Sequence, residues 1–224
     1  MRMKIGEMTM NNIKTARQDI LTKKLVIPEN YIIVVGCGGS GYNTAMILAM
    51  AGCKNFILID HDVLDVSNRN RLLTLESDIS RPKVEILKDL LQSQGASSVI
   101  TYNEQACYKL LEGIQKVHDI DVIINCVDTF YSIKMIAEFC IDFGIRMVRA
   151  GSDDDKISFA TSLGGLLDFD GEDGYQTFPN WVGGTMLSAV LAGYLVLYPE
   201  IEVPVTTIPV FTQIFGQKEE KETK

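Results

Sequence analysis

Short apolar runs alternate along this chain with longer segments in which apolar residues recur every three or four positions. The runs predict β-strands at residues 31–36, 55–60, 99–102, 121–125 and 145–150. The periodic segments predict helices at residues 11–25, 40–52, 81–94, 106–117 and 129–143. Strand sequences such as FILID and VIIN are apolar on both faces, which is typical of a parallel sheet covered by helices. The pattern predicts an α/β fold with a doubly wound, mostly parallel sheet and helices on both of its faces.

The pattern changes after Gly151. Residues 157–163 read as a strand that suits antiparallel pairing, residues 164–180 as a loop rich in glycine and acid, and 203–215 as a β-like stretch. We therefore expect a C-terminal antiparallel extension of the sheet. Because neither a repeat nor a linker divides the chain, we expect residues 1–224 to form one domain. We also expect a helical arm over 1–28 and a disordered tail over 216–224.

A glycine loop joins the first predicted strand to its helix, in the sequence YIIVVGCGGSGYN. Gly36 suits a tight turn, Gly38 allows close approach of the backbone to a phosphate, and Gly41 allows close packing of the helix. The helix N-terminus then faces the anion with free N–H groups. Asp60 ends the next strand at about the spacing of an acid that binds a ribose. The loop predicts a nucleotide-binding, Rossmann-like fold and leaves the nucleotide open.

Composition excludes several classes of protein. The net charge of −8 argues against a nucleic-acid partner, which would require a basic surface. The five cysteines form no CxxC motif, so neither a disulfide framework nor zinc is expected, and a reducing cytoplasm fits best. The uncharged segment 181–198 has 18 residues, short of the roughly 20 that a spanning helix needs. We interpret it as a buried helix and expect no membrane association.

Further polar residues gather where the predicted strands end. Asn68, Arg71 and Lys83 lie in or near the polar segment after Asp60, and Asp128 follows the strand VIIN. The carboxyl ends of parallel strands are where such folds bind ligands. Two cations, an amide and an acid around one glycine loop suit a nucleoside triphosphate with Mg²⁺ better than a dinucleotide.

Four blocks of the chain, in order, resemble the ThiF/MoeB family, the adenylating domain of ubiquitin-activating enzymes and their bacterial relatives. GCGGSG resembles the family's GxGGxG, and LIDHDVLDVSNRNR resembles its D-x-D strand end with S-N-x-x-R. DISRPKVE resembles its segment that ends in P-K-V-E, and NCVDTFYSIKMIAEFCIDFGIRMVRAG resembles its D-C-x-D-N helix with the following strand. The resemblance covers roughly residues 30–200.

The resemblance implies roles for individual residues. The phosphates of ATP would lie against the glycine loop, the ribose against Asp60, and Mg²⁺ against Asp128, while Asp62 either assists the metal or solvates the loop. Arg17, in ARQDIL, resembles an N-terminal arginine that reaches the partner's ATP in the dimers of this family. The implied phosphate-binding residues are Gly36, Gly38, Gly39, Gly41, Asn68, Arg71 and Lys83.

The resemblance further implies attachment of AMP to the C-terminal carboxylate of a small ubiquitin-like protein or peptide, with release of pyrophosphate, by a homodimer. Leu72, Ser80 and Thr129 depart from the family pattern without removing a charge. Two alternatives remain: an NAD(P)-dependent oxidoreductase, and a non-catalytic scaffold subunit with a degenerate adenylation fold. Neither the carboxylate substrate nor the step after adenylation follows from the residues.

Overall fold

The computed structural model describes residues 25–153, 156–167 and 180–210. Within them, seven strands form one sheet in the order β3-β2-β1-β4-β5-β6-β7. The strands are β1 (Tyr31–Val35), β2 (Asn55–Ile59), β3 (Ser98–Tyr102), β4 (Ile120–Asn125), β5 (Arg146–Asp153), β6 (Lys156–Ala160) and β7 (Thr206–Pro209). The first five strands are parallel, whereas β6 and β7 each pair antiparallel with their neighbour. The predicted parallel sheet with an antiparallel C-terminal extension is confirmed.

Helices cover both faces of this sheet. They are α1 (Gly39–Ala51), α2 (Lys83–Ser93), α3 (Tyr108–Gln115), α4 (Phe130–Phe143), α5 (Leu163–Leu167) and α6 (Val182–Leu197). Alternate residues of β1 divide between two cores: Ile32 and Val34 pack with α1, α2 and α6, while Ile33 and Val35 pack with α3, α4 and α5. The predicted burial of the central strands on both faces is confirmed, because all four residues are at most 1% exposed.

Several predicted boundaries were wrong. Helix α2 begins at Lys83 rather than at residue 81, because Pro82 is extended and bridges to Val63 in an antiparallel contact. The loop predicted from residue 164 instead opens with α5, in which Leu166 is buried. Strand β5 runs three residues beyond its predicted end because β6 pairs with it as far as Asp153. The segment 61–80 is irregular, as predicted, with short 3₁₀ turns at Val66–Asn70 and Glu76–Asp78.

The apolar segment 181–198 forms α6, which packs against α1. Gly193 permits the close approach, since a Cβ there would lie 3.1 Å from Cγ2 of Ile47. The hydroxyl oxygens of Ser40 and Ser188 are 2.7 Å apart across the same interface. None of the helices in the described ranges is both long and apolar enough to cross a lipid bilayer. The predicted N-terminal arm, apart from its last four residues, and the predicted tail lie outside the described residues.

Candidate functional site

Two glycines of the loop, Gly36 and Gly41, are packed against the protein backbone, whereas Gly38 borders open space. Gly36 has a φ of +88°, and a Cβ there would lie 2.8 Å from the carbonyl oxygen of Cys126. A Cβ on Gly41 would overlap the carbonyl oxygen of Gly36. At Gly38, by contrast, an added Cβ would meet nothing within 4 Å. Gly36 and Gly41 therefore shape the loop, while Gly38 borders open space through which a ligand can approach the backbone.

Helix α1 begins directly after Gly38, and its first turn points into this space. The first hydrogen bond within the helix runs from the N–H of Tyr42 to the carbonyl of Gly38, at 2.9 Å. The N–H groups of the preceding residues have no earlier turn to donate to, and together with the helix dipole they form an anion-binding end. The Asn43 amide fixes this turn by donating to the carbonyls of Gly39, at 2.7 Å, and Arg71, at 3.0 Å.

Asp60 braces the loop from the end of β2. Its carboxylate accepts a hydrogen bond from the N–H of Cys37, at 2.6 Å, and another from the N–H of Asp62, at 2.8 Å. Burial raises the pKa of Asp60, and these N–H groups together with Lys83 offset part of the increase. The structure thus shows Asp60 holding the backbone of the glycine loop. The predicted contact with a ribose stays a prediction.

Lys83 and Asp62 form an ion pair at one wall of the site. The Nζ atom of Lys83 lies 2.7 Å from Oδ2 of Asp62, and the backbone N–H of Lys83 donates to the Asp62 carbonyl at 3.0 Å. The Lys83 side chain is 9% exposed and the Asp62 side chain is 50% exposed. The lysine is therefore almost completely buried, whereas its carboxylate partner is open to solvent. Asp60, His61 and Asp62 bring three possible metal-ligand atoms within 4.8 Å of one another. Both carboxylates already accept bonds from the protein.

Asn68 and Arg71 are placed by the 3₁₀ turn that follows. Asn68 is buried, and its side-chain oxygen accepts from the N–H of Asp65 at 3.2 Å, which closes a capping box. Arg71 crosses the start of α1, since its Cδ would lie 3.1 Å from a Cβ placed on Gly39. Its Nη1 donates to the Asn70 side chain at 2.9 Å, and Asn70 in turn donates to the carbonyl of Asn180 at 2.9 Å.

Asp128 lies beyond the end of β4, on the other side of the glycine loop. Its carboxylate is exposed, in the short connection between β4 and the N-cap of α4 at Thr129. The same connection carries Cys126, whose carbonyl oxygen packs against Gly36 and whose Cβ would lie 3.2 Å from a Cβ placed on Gly41. The structure therefore brings the glycine loop, Asp128 and, from the opposite side, Arg71 and Lys83 to one edge of the sheet. Arg17 lies outside the described residues.

Other residues complete the site without a signal in the sequence. Thr185, from α6, would collide with a Cβ on Gly39. Arg149 lies in β5 beside the carboxyl end of β4, and its Nη1 donates to the carbonyl of Asn125 at 3.0 Å and to that of Ala150. The sequence does not single out Arg149, because an arginine inside an apolar strand belongs to no motif.

The cysteines of the site are inert. Burial raises the pKa of Cys37 well above its usual range and that of Cys126 to about 12, so both remain thiols near neutral pH. The interpretation of Cys37 as a small side chain packed under the loop agrees with its complete burial.

The sheet order identifies the class of this protein. Strands β2 and β3 lie on one side of β1, and β4 and the later strands lie on its other side. The glycine loop follows β1 and therefore stands at the point where the strand order of the sheet reverses. In doubly wound folds this switch point binds the ligand, and a glycine loop with a helix N-terminus there defines a nucleotide-binding protein. The model of the ThiF family matches residues 12–156, well over half of the sequence. The chain belongs to the ThiF family.

Individual relatives support this assignment. The chain is 27% identical over 157 residues to SUMO-activating enzyme subunit 2 of Dictyostelium discoideum, a match that covers 66% of this chain and 20% of the relative. It is 25% identical over 154 residues to ubiquitin-like modifier-activating enzyme 5 of the same organism, covering 61% and 40%. The chain thus spans at most two fifths of the length of these relatives.

Solved structures share the fold. E. coli MccB, crystallised with MccA-N7isoASN, superimposes with a TM-score of 0.70 at 18% identity, covering 91% of this chain and 73% of that one. E. coli tRNA N6-threonylcarbamoyladenosine dehydratase, crystallised with AMP, gives a TM-score of 0.62 at 18% identity, covering 76% and 85%.

Proposed function

We propose that this protein is an ATP-dependent adenylyltransferase that activates the C-terminal carboxylate of a small ubiquitin-like protein or peptide and releases pyrophosphate. One observation carries the proposal: open space at Gly38 lies in front of the N-terminus of α1, beside Gly39, where Arg71 crosses the helix, and on the same sheet edge as Lys83. This arrangement suits a chain of phosphates. The curated relatives are named as activating enzymes for SUMO and for a ubiquitin-like modifier, which supports the substrate class.

In the proposed reaction, the protein holds the triphosphate while the carboxylate attacks the α-phosphorus. The N–H groups of the first turn of α1 would bind phosphate oxygens, and Arg71 and Lys83 would neutralise charge that develops on the pyrophosphate. Asn68 would fix the turn from which Arg71 extends. A carboxylate is already a nucleophile at neutral pH, so positioning and charge neutralisation supply the catalysis and no general base is needed.

A Mg²⁺ ion fits the same proposal. The exposed residue Asp128 carries an oxygen ligand of the kind that Mg²⁺ accepts, and it lies beyond the end of β4, on the side of the glycine loop opposite Lys83. Such an ion would neutralise phosphate charge. Asp62 is less suited, because Lys83 already occupies one of its oxygens. Neither the cysteine pattern nor the proposed chemistry calls for zinc.

We further propose a homodimer in the cytoplasm, where ATP is available and the five cysteines stay reduced. One face of α6 supports self-association, because Val182, Met186, Val190 and Tyr194 recur every four residues and each is between 37% and 53% exposed. Val190→Asp should convert a dimer to a monomer in sedimentation velocity. Val117→Asp, at a valine that is 70% exposed near the end of α3, is the matched control and should leave the dimer intact.

The proposed activity is tested by ATP–pyrophosphate exchange with labelled pyrophosphate, against small proteins and peptides with free C-termini. Exchange should require a carboxylate substrate and should fall at least about 100-fold in Asp128→Ala and Arg71→Ala, as is usual when a group that stabilises developing charge is lost. ATP with Mg²⁺, but not NAD, should raise the melting temperature. Stabilisation by NAD alone would favour the oxidoreductase, and binding of neither nucleotide would favour the scaffold.

A further inference from the structure

Arg149 lies at the carboxyl edge of the sheet, beyond the glycine loop. It pairs in register with Asn125, the last residue of β4, and its guanidinium extends over Gly151, two residues further along the same strand. A Cβ on Gly151 would lie 2.9 Å from Nη2 of Arg149. The absence of a side chain at Gly151 therefore leaves room for the guanidinium to reach the end of the strand.

Within the described part of the chain, backbone carbonyls orient the charge of Arg149 and no carboxylate pairs with it. Its Nη1 donates to the carbonyl oxygens of Asn125 and Ala150, which fix the plane of the guanidinium without carrying a formal charge. No carboxylate oxygen of the described residues lies within 4.0 Å of it, although Asp128 acts on it electrostatically. Lys83 and Arg81, by comparison, each have a carboxylate partner at 2.7 Å.

Burial lowers the pKa of Arg149, and the nearby carboxylate of Asp128 opposes part of this shift. A guanidinium nevertheless stays protonated in a protein, so this group remains a cation at every physiological pH. A partly buried cation without a counter-ion is costly, and an anionic ligand would offset the cost.

The sheet order determines which anion could reach Arg149. Asp60 follows β2 on one side of the glycine loop, whereas Arg149 lies on β5, two strands to the other side. Adjacent strands are about 4.8 Å apart, which places Arg149 about 10 Å from β1. A nucleotide that lies with its ribose towards Asp60 and its phosphates at α1 would leave Arg149 beyond the phosphates, beside Asp128.

We propose that Arg149 binds the carboxylate of the substrate and is the residue that selects a C-terminal carboxylate for adenylation; this inference rests on the proposed function. Arginine matches carboxylate geometry, and with Nη1 occupied its remaining N–H groups hold one carboxylate oxygen. The other oxygen forms a bond to the α-phosphorus. The bond from that phosphorus to the bridging oxygen breaks, and its electron pair leaves with pyrophosphate; no proton is transferred. The held oxygen becomes the carbonyl oxygen of the acyl-adenylate.

Two probes separate binding of the acyl group from binding of the nucleotide. They are AMP and 5′-O-(N-glycyl)sulfamoyladenosine, a stable mimic of an acyl-adenylate whose glycyl group has only the backbone that all peptide C-termini share. Calorimetric titration should show that the wild-type protein binds the mimic more tightly than AMP. Arg149→Gln should weaken binding of the mimic about 10- to 100-fold, the usual effect of losing a hydrogen bond to a charged group, and change AMP binding less than about twofold.

Two further variants keep the test informative. Arg149→Lys retains the charge and should recover part of the affinity for the mimic, and it serves as the test variant where the glutamine variant fails to fold. Arg146→Gln is the matched control, since Arg146 is a partly buried arginine at the other end of β5 that donates to the carbonyls of Leu195 and Val196. It should lower the melting temperature and leave both affinities unchanged.

The outcomes distinguish this inference from the function on which it rests. Normal AMP binding with unchanged affinity of Arg149→Gln for the mimic overturns the role of Arg149 alone. An equal loss of affinity for AMP and for the mimic also overturns it, because it would place Arg149 at the nucleotide. Failure of the wild-type protein to bind AMP, ATP or the mimic overturns the proposed function and the inference together.

Discussion

The glycine loop allows stability and ligand binding to be separated by two substitutions that are chemically identical. Gly36→Ala places a methyl group 2.8 Å from the Cys126 carbonyl oxygen and forces alanine into a φ of +88°. The left-handed conformation costs roughly 1–2 kcal/mol and overpacking against backbone roughly 1–3 kcal/mol, so we expect a loss of about 2–5 kcal/mol in the free energy of unfolding. For a chain of this size the melting temperature should fall by about 4–20 °C.

Gly38→Ala should behave differently. Its φ of −77° is open to any residue, and the added methyl group meets no protein atom within 4 Å. The free energy of unfolding without ligand should therefore change by less than about 0.5 kcal/mol, the range of ordinary surface substitutions. The methyl group would occupy the space in front of the N-terminus of α1, so stabilisation by ATP with Mg²⁺ should be lost.

Differential scanning fluorimetry of both variants, with and without ATP and Mg²⁺, measures the two effects together. Retained ATP stabilisation in Gly38→Ala would show that the phosphates do not approach the loop at this position. A Gly36→Ala protein as stable as the wild type would refute the packing described between β1 and the β4–α4 connection.

Three other changes test separate parts of the structure. Asp60→Asn should lower the free energy of unfolding in urea at pH 7 by about 1–3 kcal/mol. Each carboxylate oxygen of Asp60 accepts a hydrogen bond from a backbone N–H, and the amide of asparagine has only one oxygen that can accept. Burial raises the pKa of Asp60, so between about pH 4 and its folded pKa the folded protein holds a proton that the unfolded chain has released. The contribution of Asp60 to the free energy of unfolding therefore falls as the pH rises through this range, and Asp60→Asn should lack that decrease. An unchanged pH dependence in the variant would assign the decrease to another group. Asn70→Ala should raise the KM for ATP about 3- to 10-fold, because it removes the oxygen that accepts a hydrogen bond from Arg71. Asn70→Asp keeps such an oxygen and should keep the KM near that of the wild type. Equal KM values for the two variants would show that Asn70 does not position Arg71. Ellman's reagent at pH 8 should label Cys107 rapidly in the native protein and all five cysteines after denaturation; rapid native labelling of Cys37 would contradict its burial.

The parallel core was predictable because the two patterns that indicate it, apolar strands and amphipathic helices, are each visible within a short stretch of sequence. These elements alternate with short connections, and the right-handed crossover rule leaves few topologies for such a pattern. The ends of elements were less predictable, since they depend on partners distant in the sequence. Strand β5 continues to Asp153 only because β6 returns beside it, and α2 begins late because Pro82 bridges to Val63.

The candidate site divides in the same way. The glycine loop, Asp60, Arg71, Lys83 and Asp128 were accessible because they belong to sequence blocks with fixed spacing. Asn43, Thr185 and Arg149 were not, since each acts through a contact that the linear chain does not display. The structural role of Asp60 was likewise not visible in the sequence. A carboxylate at the end of a strand predicts a ribose ligand, whereas the structure shows that Asp60 accepts two hydrogen bonds from backbone N–H groups and so braces the loop.

The packing of α6 on α1 has a consequence for how the protein folds. Thr185 and Ser188 touch the first turn of α1, so one end of the glycine loop is completed by residues almost 150 positions later in the sequence. Contacts between residues so far apart in the sequence form late, because the entropy cost of closing the long loop between them must first be offset by local structure. During synthesis the strands β1 to β5 would leave the ribosome before the helix that completes the loop. Shortened chains that end before α6 should therefore fold incompletely and expose the apolar face of α1, which makes this interface the step at which folding competes with aggregation.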